Sequence, residues 1–316
     1  MAASHETSEA LSQRFGVSVA TVYKWRRRTN FQDASHTAHH LQTTLSPEQE
    51  HVGAYHMANS TAWYHQFLIR DFLNRYDVNM SEAERENAQD YQSFNDFFTR
   101  SLKPGMRPID QQATWVSPAD GSVSSCGAIH QGQIFQAKGK KFTAQALLGG
   151  DAKLAQNFQN GNYATVYLSP KDYHRVHMPI DGRLVKMTYI PGALFSVSHA
   201  TAQSVDALFA RNERVVALFE TKNGLLAMVL VGATIVGSIS TTWHGVVNAH
   251  HGKKIKHWSY EQAPITIKQG EEMGRFLLGS TVVMLMDNPN VEFSPACIPL
   301  SSIRMGQALA NSSLSP

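Results

Sequence analysis

The chain has 316 residues, 42% of them hydrophobic, enough for one large domain or two ordinary ones around a real core. Its formal charge of +3 is mildly basic, which favours an anionic surface without requiring nucleic acid. The only cysteines, Cys126 and Cys297, have no CxxC spacing and exclude a disulfide framework, so a reducing cytoplasm is the default compartment.

Residues 1–50 are polar, dotted with histidine and helical in pattern. Leu11, Phe15, Val19, Val22 and Trp25 recur at spacings of three or four, interrupted by Gly16-Val17-Ser18. A helix to Phe15, a turn at Gly16, Ser18 as N-cap and a second helix carrying Lys24, Arg26, Arg27 and Arg28 outline a helix-turn-helix. The start, Met1-Ala2-Ala3-Ser4-His5-Glu6, lacks a basic region followed by an apolar one, so no export signal is expected. Residues 61–76 place Trp63, Tyr64, Phe67, Leu68, Phe72 and Leu73 at helical spacing with Arg70 and Arg75 between them. This amphipathic helix can dock on the domain behind it, lie on a membrane surface, or do both.

From about Phe94 the pattern changes to short runs rich in Val, Ile, Thr and Tyr, punctuated by Gly, Asp and Pro, as in antiparallel strands. Strands are expected at 121–129, 163–168, 182–189, 215–220, 225–231, 237–242 and 280–286, and helices at 95–100, 143–148, 151–159 and 200–208. The apolar stretch 225–239, about 15 residues against the about 20 a membrane span needs, contains Gly232 and Gly237 and reads as buried strand. The predicted fold class is α+β: a β-rich antiparallel catalytic body, N-terminal helices and a helix-turn-helix appendage.

Three groups have the chemistry of a nucleophilic triad: Asp120 before Gly121, His177 in Tyr173-His174-Arg175-Val176-His177-Met178-Pro179, and Ser280 after Gly279. Taken singly, each has a plain structural reading: a turn aspartate, a core histidine, a loop serine. There is no GxSxG elbow to support a serine hydrolase. The pairs His39-His40 and His250-His251 are adjacent rather than three or four apart, so no metal site is expected.

Five runs occur in a telling order: Ser117 to Gly121, Tyr167 to Pro179, Pro191-Gly192-Ala193-Leu194-Phe195-Ser196-Val197, Phe209 to Arg214, and Gly274-Arg275-Phe276-Leu277-Leu278-Gly279-Ser280-Thr281. Together they resemble the successive motifs of bacterial phosphatidylserine decarboxylases, over roughly residues 61–307. The resemblance implies self-cleavage before Ser280, giving a β chain ending at Gly279 and an α chain starting at Ser280, the two remaining together as a heterodimer. It implies Ser280 as nucleophile, Asp120 and His177 as its relay, and a pyruvoyl cofactor made from Ser280. That ketone condenses with the amine of phosphatidylserine and takes up electrons as CO2 leaves. It places His174 near the decarboxylation chemistry, and Phe195 and His199 are weaker candidates for lining the substrate site. A peripheral location on the cytoplasmic face of the cell membrane follows.

The piece 11–28 instead resembles the helix-turn-helix of transposases. It stands where the family has its basic amphipathic anchor, as a gene fusion or a misassigned start with Met57 as the true one would produce. The expected domains are an appendage at 1–50 and a decarboxylase domain at 57–316, with nucleic acid not expected as a partner.

Overall fold

The computed structural model describes Thr7 and residues 47–137, 139–233, 238–247, 252–262, 265–277 and 280–312. The helix-turn-helix outline at 11–28 lies outside the described residues.

A nine-stranded antiparallel sheet organises the body. Its main strands are β1 (Gly121–Ala128), β2 (Asn162–Leu168), β4 (Gly182–Ile190), β5 (Arg214–Thr221), β6 (Gly224–Val231), β9 (Ser280–Met286) and β10 (Ser302–Ile303). From one edge the order is Lys256–Ser259, β4, β5, β6, β9, β2, β1, β10, with Thr266–Ile267 also paired to β4. A smaller antiparallel sheet runs Gly245–Val246, β7 (Ile239–Thr241), β8 (Glu272–Phe276), β3 (Arg175–His177).

The two-residue period of a strand sorts the central side chains into two cores, one on each face. Val215, Ala217, Phe219, Met228, Leu230, Val282 and Met284 join one cluster, with Val176, Met273 and Phe276 of the smaller sheet. Val216, Leu218, Ala227, Val229, Val283 and Leu285 join the other, with Phe142, Leu147, Phe158 and Phe209. Covering both faces explains why these strands read as unbroken apolar runs.

Helices α1 (Pro47–Asn59), α2 (His65–Arg75) and α3 (Phe94–Phe98) enclose a third cluster around Ile69, Tyr91, Phe94, Phe97 and Phe98. Phe72 meets Phe94 and Phe97 edge-on at ring distances of 5.3 and 5.8 Å, the geometry that aromatic quadrupoles favour. Trp63 and Phe67 stay outside it, 85% and 67% exposed.

The seven expected strands form within two residues of their predicted ends. The helix expected over 200–208 breaks into α4 (His199–Ser204) and a short turn of helix at Leu208–Arg211, with Ala207 at φ 50° between them. Gln136, fully buried, causes the break: its amide donates to the carbonyls of Ala202 and Val205 and accepts from the Leu208 backbone N–H. After Ser169-Pro170 the chain makes a tight turn, in which the Asp172 carboxylate accepts from Ser169 N at 2.6 Å. Strand β8 escapes prediction because it carries Glu272, Gly274 and Arg275 among its five residues.

One glycine is fixed by close approach. A Cβ at Gly121 would sit 2.1 Å from the Tyr167 carbonyl oxygen, where β1 meets β2. Gly121→Ala is therefore expected to destabilise the fold by roughly 2 kcal/mol or more, because the atoms the new methyl group meets are backbone and cannot turn aside. Urea unfolding of the two proteins measures this.

Candidate active site

Several segments converge at one end of the large sheet. Ser280, the first residue of β9, pairs with Leu168 at the end of β2, and Thr281 pairs with Tyr167 on one side and Val231 on the other. Tyr167 also pairs with Ser122 of β1, which in turn pairs with Ser302 of β10. The turn holding Asp120 thus lies at the same end of the sheet as the start of β9. Gly279 lies outside the described residues.

His177 reaches this region from the smaller sheet. Its backbone N–H donates to the Pro118 carbonyl at 2.8 Å, which seats β3 against the segment leading to Asp120. The His177 ring is buried, and burial pushes its pKa below the usual histidine value. Nδ1 lies 2.8 Å from the Gly270 carbonyl oxygen, an acceptor only, so Nδ1 carries the proton and Nε2 the lone pair. That lone pair accepts from the Tyr173 hydroxyl at 3.1 Å. Burial pushes the Tyr173 phenol up to about 12, so it remains a donor.

Asp120 takes a different partner from the one its expected role requires. Its carboxylate accepts from Arg107 Nε at 2.9 and 3.0 Å and from a terminal guanidinium nitrogen at 2.5 Å, and its Oδ1 also accepts from Met305 N. Arg107 bonds Glu82 at 2.7 Å, and Arg304 lies 3.3 Å from the same carboxylate. A bidentate guanidinium pair outcompetes a single neutral imidazole N–H, and the Gly270 carbonyl holds the His177 tautomer in place of Asp120. Asp120 still acts on His177 through space, as one of the charges favouring its protonated form.

His174 is buried and stacks on Phe98, with ring centroids 3.9 Å apart. Burial, reinforced by the nearby Arg100 cation, pushes its pKa down to about 3, so the ring is neutral near pH 7. Arg100 itself is buried and donates to the carbonyls of Lys171 and Asp172, bracing the turn that carries Tyr173 and His174.

His199 opens α4, where Ser198 caps the helix by accepting from Thr201 N. Its Nε2 lies 2.8 Å from Ser122 Oγ and its ring meets Tyr167 edge-on, bringing it to the same strand ends as Ser280. Phe195 is half-buried on a segment clamped by Asn212, whose side chain bonds both its backbone N and O, and the Arg211 guanidinium lies over its ring. No described contact joins Phe195 to Asp120 or His177.

A cavity of about 240 Å3 adjoins Asp120 and Tyr173, lined also by Asp77, Arg100, Arg107, Ser302 and Arg304. Arg107, Gly270 and Arg100 are the site residues that sequence reasoning missed. Arg107 lies in the unremarkable run Gly105-Met106-Arg107-Pro108, and its only signal is that a buried Asp120 must find a cationic or donor partner.

Among known proteins, a family model described as phosphatidylserine decarboxylase matches residues 94–311. A phosphatidylserine decarboxylase proenzyme of Variovorax paradoxus is 56% identical over 251 residues, covering 79% of this chain and 87% of the relative. The proenzyme of Polaromonas naphthalenivorans is 52% identical over 276 residues, covering 86% and 95%. The chain therefore belongs to the phosphatidylserine decarboxylase family.

The two buried histidines predict a pH dependence. Both pKa values are depressed in the fold, so below the ordinary histidine value of about 6.5 the unfolded chain binds more protons than the native one. Stability is retained above that pH and falls as acid is added, by up to about 1.4 kcal/mol per pH unit for each histidine. His174→Gln should remove one histidine's share of the slope between pH 6 and pH 4, which is read from urea midpoints across that range.

Proposed function

We propose that the protein is a proenzyme that cuts itself between Gly279 and Ser280 and then decarboxylates phosphatidylserine to phosphatidylethanolamine. One observation supports the reading beyond family membership: the bond to be cut immediately precedes β9, a strand paired with β2 from Ser280 to Met286 and with β6 from Thr281 to Met286. Its residues Val282 to Met286 are fully buried, so the α chain stays docked once the bond is broken.

In the processing step the Ser280 hydroxyl oxygen adds to the Gly279 carbonyl carbon and its proton passes to His177 Nε2, the nitrogen left with a lone pair by the Gly270 hydrogen bond. The Tyr173 hydroxyl occupies that lone pair in the uncut chain, so it must turn aside as the serine approaches. His177 then returns the proton to the departing amide nitrogen, leaving an ester between Gly279 and Ser280. In the elimination the Cα proton of residue 280 passes to a base, for which the again-neutral His177 is available, as the ester Cβ–O bond breaks; Gly279 leaves as a free carboxylate and residue 280 gains a Cα=Cβ double bond, whose imine tautomer water hydrolyses to a ketone with loss of ammonia. Asp120, held by Arg107, offsets the transient imidazolium charge through space.

The site suits a pyruvoyl group at position 280. The pairing of Thr281 with Tyr167 and Val231 fixes the backbone on which it would stand, beside Ser122 and His199. When formed, that group supplies an electron sink for the pair released with CO2. His174, neutral and sealed by Phe98, can relay a proton to the substrate carbon. His199 and, more distantly, Phe195 can line the substrate site.

The exposed Trp63, just before α2, and Phe67, in its first turn, suit a peripheral seat on the cytoplasmic face of the cell membrane, where the lipid resides. No helix among the described residues is long and apolar enough to cross a membrane. The domain limits proposed are 57–316 for the decarboxylase, with 1–50 as an appendage outside its chemistry.

Intact-mass measurement tests this directly. The wild type should yield two fragments, the smaller with a ketone terminus in place of an amine, and Ser280→Ala one uncut chain; an uncut wild type refutes the reading. Tyr173→Phe should move the acid limb of the cleavage rate to higher pH, because His177 Nε2 loses a donor that favours its neutral form. Cleavage half-times followed on denaturing gels across pH measure the shift.

A further inference from the structure

The two cysteines of the chain, 171 residues apart in sequence, meet in the fold. Cys126 lies on β1 and pairs with Ala164 of β2. Cys297 lies on the segment that leads into β10, and that segment runs alongside β1 in the opposite direction. Ser302 pairs with Ser122, Leu300 N donates to the Val123 carbonyl at 2.7 Å, and Val123 N donates to the Ser301 carbonyl at 2.9 Å. Further along, the Cys126 thiol donates to the Cys297 carbonyl at 2.9 Å, and the two thiols are within hydrogen-bond reach of each other. Both side chains join the core on the same face of the large sheet. Segments bonded side by side in this way lie about 4.8 Å apart, inside the Cα separation of roughly 4.4 to 6.8 Å that a disulfide spans.

The two sulfurs differ as a nucleophile and its resolving partner must. Cys126 is half-buried, whereas Cys297 is 6% exposed. A hydrogen bond from the Cys297 thiol favours the Cys126 thiolate and holds its pKa below the ordinary cysteine value, while that bond and burial push Cys297 up. The sulfur that a reagent can reach is thus the one that ionises first. The proposed cut at Gly279-Ser280 gives the contact its meaning. It leaves Cys126 in the β chain and Cys297 in the α chain, so a bond between them would rejoin what self-cleavage separates.

We propose that Cys126 and Cys297 are a redox latch, open in a reducing cytoplasm and closed under oxidation into a disulfide that ties the α chain to the β chain. The oxidant is a small-molecule disulfide. The Cys126 thiolate attacks one of its sulfurs and expels the other as a thiolate; Cys297 then gives up its proton, attacks Cys126 Sγ in the mixed disulfide and expels the second thiolate. The pair loses two electrons and two protons, and the reagent becomes two thiols.

The purpose of the latch rests on the self-cleavage reading, whereas the bond itself does not. The full chain is incubated with oxidised glutathione, remaining thiols are alkylated, and mass is read without reductant. One covalent species is expected, lighter by two hydrogens than the sum of the two chains into which dithiothreitol parts it. Tryptic digestion of the oxidised wild type should yield the peptide carrying Cys126 linked to the one carrying Cys297. The same linked peptides from an uncut chain would confirm the bond and refute the self-cleavage on which its purpose depends. Cys126→Ser and Cys297→Ala should each abolish the link and leave self-cleavage unchanged. For the oxidised, cleaved protein the urea midpoint should not depend on protein concentration, because its two chains can no longer part. Two alkylated thiols, glutathione retained on either cysteine, a disulfide between two copies of the chain, or an oxidised midpoint that falls on dilution overturns the proposal.

Discussion

Everything in this molecule depends on β9 being trapped in the middle of a sheet. Seven residues, Ser280 to Met286, pair with β2 on one side, and six of them, Thr281 to Met286, pair with β6 on the other. Alternate side chains enter the two cores: Val282, Met284 and Met286 on one face, Val283 and Leu285 on the other. A chain cut at the head of such a strand loses one covalent bond and none of these interactions. Burying five aliphatic side chains at roughly 1.5 to 3 kcal/mol each outweighs the cost of holding a short severed segment in place. Autolysis at this position is therefore compatible with a folded product, which it would not be in an exposed loop joining independent parts.

The polar groups around that strand head are arranged by partners that ordinary triad logic does not anticipate. A main-chain carbonyl, from Gly270, sets the tautomer of His177, while Asp120 is committed to Arg107 and, through it, to Glu82 and Arg304. Burial opposes a charge on Arg107, yet the Asp120 and Glu82 carboxylates together hold its pKa above the ordinary arginine value. The network knits residues 82, 107, 120 and 304, so the segment before β1, the Asp120 turn and the chain beyond β10 form one unit. Breaking one member would leave a buried charge without its counterpart, so the network specifies position more than it adds stability.

The proposed membrane contact and the proposed chemistry share this construction. The helices α1 to α3 pack their own aromatic cluster and leave Trp63 and Phe67 outside. From α3 the chain continues to Arg100, whose guanidinium braces the turn bearing Tyr173 and His174. The helices carrying the exposed Trp63 and Phe67 are thus linked, through α3 and the buried Arg100, to the turn that holds Tyr173 and His174.

The sequence by itself determined what depends on local pattern. The short Val-, Ile-, Thr- and Tyr-rich runs with their Gly, Asp and Pro punctuation located seven strands, the order of five motifs identified the family, and the contexts of Asp120, His177 and Ser280 singled out the residues of the proposed chemistry. The pattern failed where a distant side chain intervened, as at Gln136, which splits the predicted helix at 200–208, and at β8, whose polar residues conceal a strand. Only the tertiary structure decided that Asp120 pairs with Arg107, that Gly270 orients His177, and that Ser302 and Arg304 line the same cavity as Asp77 and Asn79 after α2. These are relations between segments far apart in the chain. Hydrogen bonds and burial depend on positions in space, and a linear pattern carries those positions only after the sheets have brought its ends together.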